Sequence, residues 1–241
     1  MKMSFKLKIG IASAAALLII LALAIWPVLS PKAAQGEANS TIIEKLVLSE
    51  GNVRISLPVF EGLSPEIDSD VNRRIAEITG LDNLLEFAQN EKNDARMRYK
   101  ALSKGDIFHI SVATFVYAGG AHGLESRYEI YIDSRTGRFY SLDDLFTPRK
   151  LRSAHEAIAG YIESLMDGQD IMFFEDASSM PLPDLFIIGH EGLKIIYPPL
   201  SIASYGEGFL GYEIPLEIYE KYLSKSGDFF SALKGSRNPD F

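Results

Sequence analysis

The sequence predicts an α+β domain, a mainly antiparallel sheet with two long helices packed on it, preceded by one N-terminal transmembrane helix. Three observations lead there. An uncharged run fills residues 9–31 behind a lysine-bearing start. Two segments carry apolar residues at helical spacing, one opening at Pro65 and one at Leu151. The other apolar segments are short, extended in pattern and joined by glycine-bearing turns, with no βαβ repetition.

Residues 1–8, with Lys2, Lys6 and Lys8, read as a short basic tail on the cytoplasmic side. Residues 9–31 are long enough to span a bilayer, which takes about 20 apolar residues. Trp26 and Pro27 stand at the far end, where an amphipathic ring suits the interface. The run exceeds the roughly 7–15 residues of a signal h-region and so favours an uncleaved anchor. Small residues at Ala34, Gly36 and Ala38 leave open a cut by signal peptidase, which would make the chain a secreted one. The expected location is the cell membrane, single-pass, with the C-terminal domain extracytoplasmic.

Residues 32–41 read as a linker and 42–233 as one extracytoplasmic domain. Residues 42–48 and 53–57 form two strands around Gly51-Asn52. Ser64-Pro65 opens the first helix, with Ile67, Val71, Ile75 and Ile78 as its apolar face. Gly80 ends or interrupts it, and residues 81–89 continue helical. Residues 96–102 and 107–117 make a hairpin around Lys104-Gly105, the second strand being apolar on both faces and therefore central. Strands at 127–133 and 138–141 flank a turn at 134–137, and 142–146 make a short helical turn. The second long helix covers 151–166, with Leu151, Ile158, Ile162 and Leu165 on one side. A hairpin at 184–188 and 193–197 turns at Gly189–Gly192. A Pro/Ser/Gly loop at 198–208, a strand at 209–214 and a helix at 215–223 follow. Residues 234–241 form a frayed tail.

Composition is ordinary for a globular chain, 47% hydrophobic and 23% charged. The absence of cysteine removes disulfides, thiolate nucleophiles, cysteine-based metal sites and lipid attachment. Net charge is −8. Residues 1–40 hold four lysines against Glu37, so residues 41–241 carry −11. That balance excludes a nucleic-acid footprint and suits either plain solubility or attraction of cationic partners.

No residue pattern nominates a catalytic group, a cofactor or a metal. His109, His122, His155 and His190 show no helical zinc pair, and neither a nucleophile elbow nor a phosphate loop occurs. Asp143-Asp144 and Glu175-Asp176 are adjacent in sequence and point apart. His122 stands among Gly119, Gly120 and Gly123, which suits a binding loop or simply a tight crossover. Tyr197, Tyr205, Phe209 and Tyr212 surround the late loop, as partner anchors or as sheet packing.

Tyr117-Ala118-Gly119-Gly120-Ala121-His122-Gly123 resembles the Tyr-Thr-Gly-Gly-Ala-His-Gly stretch of the RsiV-type extracytoplasmic domain family. Asp133–Gly137 with Leu142–Phe146 is similar to that family's Asp-x-x-Thr-Gly and Leu-x-Asp-Leu-Phe elements. Ile202-Ala203-Ser204-Tyr205 looks like its late Ile-Ala-Pro-Tyr loop, with Ser204 where the family has proline. The resemblance covers most of residues 42–233. It implies a sensor or binding module. One member is a lysozyme-binding anti-sigma factor cut by signal peptidase when occupied, and another precedes a peptidoglycan deacetylase. Only eight residues precede the apolar run and no deacetylase segment follows, so a sigma-binding segment and a linked enzyme are not expected here. The implied site is Tyr117, Gly119, Gly120, His122 and Gly123 with Ser204 and Tyr205, the two loops following strands of one sheet. The implied partner is a lysozyme-like protein or peptidoglycan. The alternatives are a peptidoglycan-acting enzyme or its accessory domain, and a structural envelope protein.

Overall fold

The computed structural model describes residues 40–189 and 192–235. The expected membrane or signal segment at 9–31, the cleavage region at Ala34, Gly36 and Ala38, His190 and residues 236–241 lie outside the described residues. Among the described residues no helix is long and apolar enough to cross a membrane.

Among the described residues nine strands form two sheets. Strands β1 (Thr41–Glu50), β2 (Val53–Glu61), β3 (Asp94–Lys104), β4 (Ile107–Tyr117), β5 (Leu124–Asp133) and β6 (Phe139–Tyr140) make one sheet in that order. Strands β7 (Phe186–Ile188), β8 (Leu193–Tyr197) and β9 (Leu210–Ile214) make the other, antiparallel throughout. Five α-helices accompany them among the described residues: α1 (Pro65–Thr79), α2 (Leu81–Ala88), α3 (Leu151–Met166), α4 (Leu216–Tyr219) and α5 (Asp228–Lys234). The chain divides into two units. The first holds the described residues up to Arg98, with Phe115–Leu124 and Ser134–Gly137; the second holds the rest.

In the first unit β1 and β2 form an antiparallel hairpin, while β2 and β3 run parallel from Val53↔Ala95 to Ile55↔Met97. The six-stranded sheet is therefore mixed: one short parallel pair stands in an architecture expected to be mainly antiparallel. Parallel neighbours need a crossover of a dozen or more residues, and α1 with α2 supplies it. Ser64 caps α1 by accepting from the Ile67 N–H at 3.3 Å. Asn72 ties the helix to β2 twice, accepting from Phe60 N and donating to Phe60 O, both at 2.8 Å. The buried face of α1 is Val71, Ile75 and Thr79. Ile67 and Ile78, expected inside, are 39% and 37% exposed. Thr79 can replace them because its hydroxyl donates to Ile75 O at 2.9 Å and carries no unmet polar group inward.

In the second unit α3 buries Ala154, Ile158, Ala159, Ile162 and Met166, with Leu151 and Leu165 only half-buried at the margin. Its face joins Phe186, Ile195, Tyr197, Tyr212 and Phe229 in one apolar cluster. The first strand residue is Thr41, read from sequence as linker, and the C-terminal helical stretch breaks up: α4 has four residues and a 3-10 turn follows at Glu220–Tyr222. Helix α5 was not expected. Lys234, assigned to the frayed tail, is its last residue, and Gly235 lies against Gly105.

Several tyrosines sit in this core, and burial pushes the phenols of Tyr197 and Tyr140 up to about 12, Tyr140 also feeling the Asp133 carboxylate. Unfolded tyrosine ionises near about 10, so the native state holds the proton more tightly. The stability this provides is complete below about pH 10 and is lost as pH rises towards 12. Each such tyrosine sets a slope of at most about 1.4 kcal/mol per pH unit in that window. The expected denaturant midpoint is level up to about pH 9.5 and falls above it, less steeply in Tyr197→Phe. A midpoint that holds level through about pH 11.5 contradicts the assignment.

Candidate functional site

The β4–β5 connection belongs to the first unit. Gly119 and Gly120 adopt φ of 90° and 114°, and a Cβ on either would meet nothing within 4 Å. Backbone conformation, not space, requires glycine at both. Tyr117 donates its hydroxyl to Gly120 O at 3.0 Å and so closes the loop on itself. Gly123 answers a different demand: a Cβ there would lie 2.3 Å from the Phe115 ring and 2.9 Å from Val116 O. Residues 119–122 are exposed. The His122 ring lies with Nδ1 3.1 Å from Gly123 O, a contact that is a hydrogen bond when Nδ1 carries the proton.

Ser204 and Tyr205 belong to the second unit. Their loop follows β8 in the three-stranded sheet, whereas Gly119–Gly123 follows β4 in the six-stranded one. This corrects the expectation that both loops follow strands of one sheet. Ser204 is exposed and Tyr205, half-buried, opens a 3-10 turn through Glu207. Of the aromatics around the loop, Tyr197 and Tyr212 are buried edge-to-face at 6.1 Å and pack the sheet. Phe209 lies under the Arg127 guanidinium, 4.5 Å from ring centroid to Cζ.

A part-buried polar cluster on β4 and β5 carries no motif in the sequence. His109 Nε2 meets Glu129 Oε2 at 2.7 Å, and Ser111 donates its hydroxyl to the same oxygen. The His109 ring stacks flat on Tyr131, 4.5 Å apart and 2° from parallel. The Tyr131 hydroxyl in turn accepts from Ile188 N at 3.1 Å and donates to Phe186 O at 3.3 Å, joining β5 to β7. The signal was present: His109 and Ser111 share one face of β4 by the two-residue period, as Glu129 and Tyr131 share one face of β5. The carboxylate lies between the other two, so Ser111 gives its proton to Glu129 and not to an imidazole, and the arrangement is not that of an activated nucleophile.

Elsewhere, His155 Nε2 lies 2.8 Å from Asp143 Oδ1 but without hydrogen-bond alignment. Burial raises the Asp184 carboxyl above its usual range, although it accepts from Leu142 N at 2.7 Å. Among the described residues no three His, Cys, Asp or Glu side chains come together as a metal site.

No family model matches the chain, and no curated protein matches it. Solved structures do. A DUF3298 family protein from Pseudomonas aeruginosa PAO1 is 17% identical with a TM-score of 0.52, over 78% of this chain and 95% of that one. A member of the same family from Bacteroides fragilis is 16% identical, also with a TM-score of 0.52, over 81% of this chain and 96% of that one. At this identity the likeness establishes a shared fold.

Proposed function

We propose that this chain is an extracytoplasmic binding module of the bacterial cell envelope, anchored through residues 9–31, whose partner is a lysozyme-like protein or a peptidoglycan component. The observation that carries the reading is the exposed loop Gly119–His122, preformed by the Tyr117–Gly120 hydrogen bond and the Gly123–Phe115 contact. A loop already held in one conformation gives up little entropy on docking. The RsiV-type resemblance of the same residues supports the reading, and the fold shared with the DUF3298 family proteins is compatible with it. Ser204 and Tyr205 supply a second, separate contact. Processing by signal peptidase near Ala34, Gly36 and Ala38, promoted by the bound partner, belongs to the same proposal. The enzyme alternative would need an open, hydrogen-bonded His–carboxylate pair; the Glu129 side chain is only 6% exposed, and the more open His155 meets Asp143 without hydrogen-bond alignment.

Calorimetry of the full chain with lysozyme, and pelleting with purified sacculi, tests it. Removing the His122 imidazole by His122→Ala should weaken binding by about 1 kcal/mol, the worth of one hydrogen bond. Tyr205→Ala should cost about 2 kcal/mol, as an aromatic anchor does. A parent chain that binds neither lysozyme nor sacculi removes the reading, as does unchanged affinity in both variants.

A further inference from the structure

The second unit exposes an apolar surface that its core does not cover. Met172, Phe174 and Leu200 are 82%, 53% and 64% exposed. They come from two segments held together by backbone: Phe173 bridges Ala203 in antiparallel fashion, and the Phe174 N–H donates to Ile202 O at 2.8 Å. Side chains alternate across an extended segment. Phe173 therefore turns in against the buried cluster, and Met172 and Phe174 turn out. The same register sets Met172 opposite Ser204. Leu200 keeps its exposed position at a φ of 67°, where leucine is rarely found. Apolar side chains gathered at a surface mark an interaction site more often than chance exposure does.

Charge says what covers this surface. From Ser153 to Glu220 the sequence holds one lysine, Lys194, against twelve aspartates and glutamates, a net of −11 in a chain whose total is −8. The rest of the chain therefore carries +3. Lys194 is engaged by Glu213 at 2.9 Å. Asp167, Asp170, Glu175, Asp176 and Glu207 are exposed on or beside the two segments that carry the apolar side chains. A second copy of the chain would bring −11 against −11, and an anionic bilayer would be repelled in the same way.

We propose that Met172, Phe174 and Leu200, rimmed by these carboxylates, form the docking surface for a basic amphipathic polypeptide segment. The apolar side chains are desolvated at the centre of the contact, and the rim pairs with lysine or arginine and speeds encounter. The inference rests on the binding-module reading and assigns this contact to residues of the second unit.

The test uses the full chain in uncharged detergent micelles and three probes: a helical lysine/leucine peptide, polylysine, and phosphatidylglycerol vesicles. The parent should bind the peptide, and M172S/F174S/L200S should weaken that binding about tenfold or more. Polylysine relies on charge alone, so its binding should change less than about twofold in that variant and fall in D170N/E175Q/D176N, whose salt dependence should flatten. All six positions are exposed, so parent-like melting is expected of both variants. A parent that ignores the peptide, or a serine variant that binds it like the parent, overturns the proposal. So does vesicle binding that M172S/F174S/L200S abolishes. Lysozyme binding that His122→Ala weakens, in a parent that ignores the peptide, removes this surface alone. Patch-dependent peptide binding without lysozyme binding removes the lysozyme partner and leaves this surface standing.

Discussion

Gly105→Ala is expected to destabilise the fold by roughly 3 kcal/mol, the sum of two effects acting at one atom. Gly105 sits in the β3–β4 turn at φ 60°. A left-handed conformation costs an L-residue about 1–2 kcal/mol. Space is the second term. An added Cβ would lie 2.4 Å from Ala232 O, 2.5 Å from Leu233 O and 2.8 Å from Gly235 N, all backbone atoms. Side chains can rotate away from an intruder, but the end of α5 can only move as a body. Moving it disturbs the Asp106 N–H bond to Ala232 O at 2.8 Å and the seat of Phe229, which is buried and stacks on Tyr140 at 4.5 Å. Overpacking of this kind adds about 1–3 kcal/mol. Gly119→Ala makes the control, since its φ is also positive but the space is empty. It should lose only the conformational part. Guanidinium unfolding of both variants decides the matter: a Gly105→Ala loss no larger than that of Gly119→Ala shows that the α5 contact yields without cost.

That turn also marks where sequence reasoning reached and where it stopped. Local chemistry was legible. Lys104-Gly105 announced the hairpin, Ser64-Pro65 the start of α1, Gly80 its interruption, and the apolar spacing of 151–166 the span of α3. Helix α5 escaped because seven residues are too few to show a period, and it is held by what it packs on. The parallel pairing of β2 with β3 depends on where α1 and α2 return the chain. The exchange of Ile78 for Thr79 turns on one hydrogen bond to Ile75 O, which spacing alone does not report.

The candidate site divides in the same way. Glycines at 119, 120 and 123 pointed to the β4–β5 loop because backbone geometry is written in residue type. Sheet membership is not, so the Ser204–Tyr205 loop was assigned to a strand of the wrong sheet. The apolar surface of Met172, Phe174 and Leu200 depends on the pairing of Phe173 with Ala203, which fixes which side faces out and which no residue pattern reports. His109 and Glu129 lie twenty residues apart and become partners only once the register of their strands is known.

Glu129 is where the other large effect is expected. Its side chain is 6% exposed and that of His109 16%. One oxygen accepts from both His109 and Ser111, so Glu129→Ala leaves two polar groups in a largely dry place. Breaking a buried pair by deleting one partner costs about 3–5 kcal/mol, and the remaining exposure of His109 puts this one near about 3. Glu129→Gln keeps an acceptor oxygen at the same reach and should lose no more than about 1.5 kcal/mol. The loss should extend beyond β4 and β5. The flat stack of His109 on Tyr131 fixes the phenol that joins Ile188 N and Phe186 O, so a loosened His109 loosens β7. Faster amide exchange at Ile188 in Glu129→Ala would report that step directly. A double-mutant cycle with His109→Phe isolates the pair, and at contact distance the coupling should be about 1 kcal/mol or more. Additive losses would mean that Glu129 and His109 act on the fold separately, and a parent-like Glu129→Ala would mean that solvent reaches both partners. Glu129→Gln should meanwhile bind lysozyme and the basic peptide as the parent does, because the cluster joins strands and supplies no residue to either proposed contact face; a binding loss in that folded variant would reassign His109 and Glu129 from the scaffold to the site.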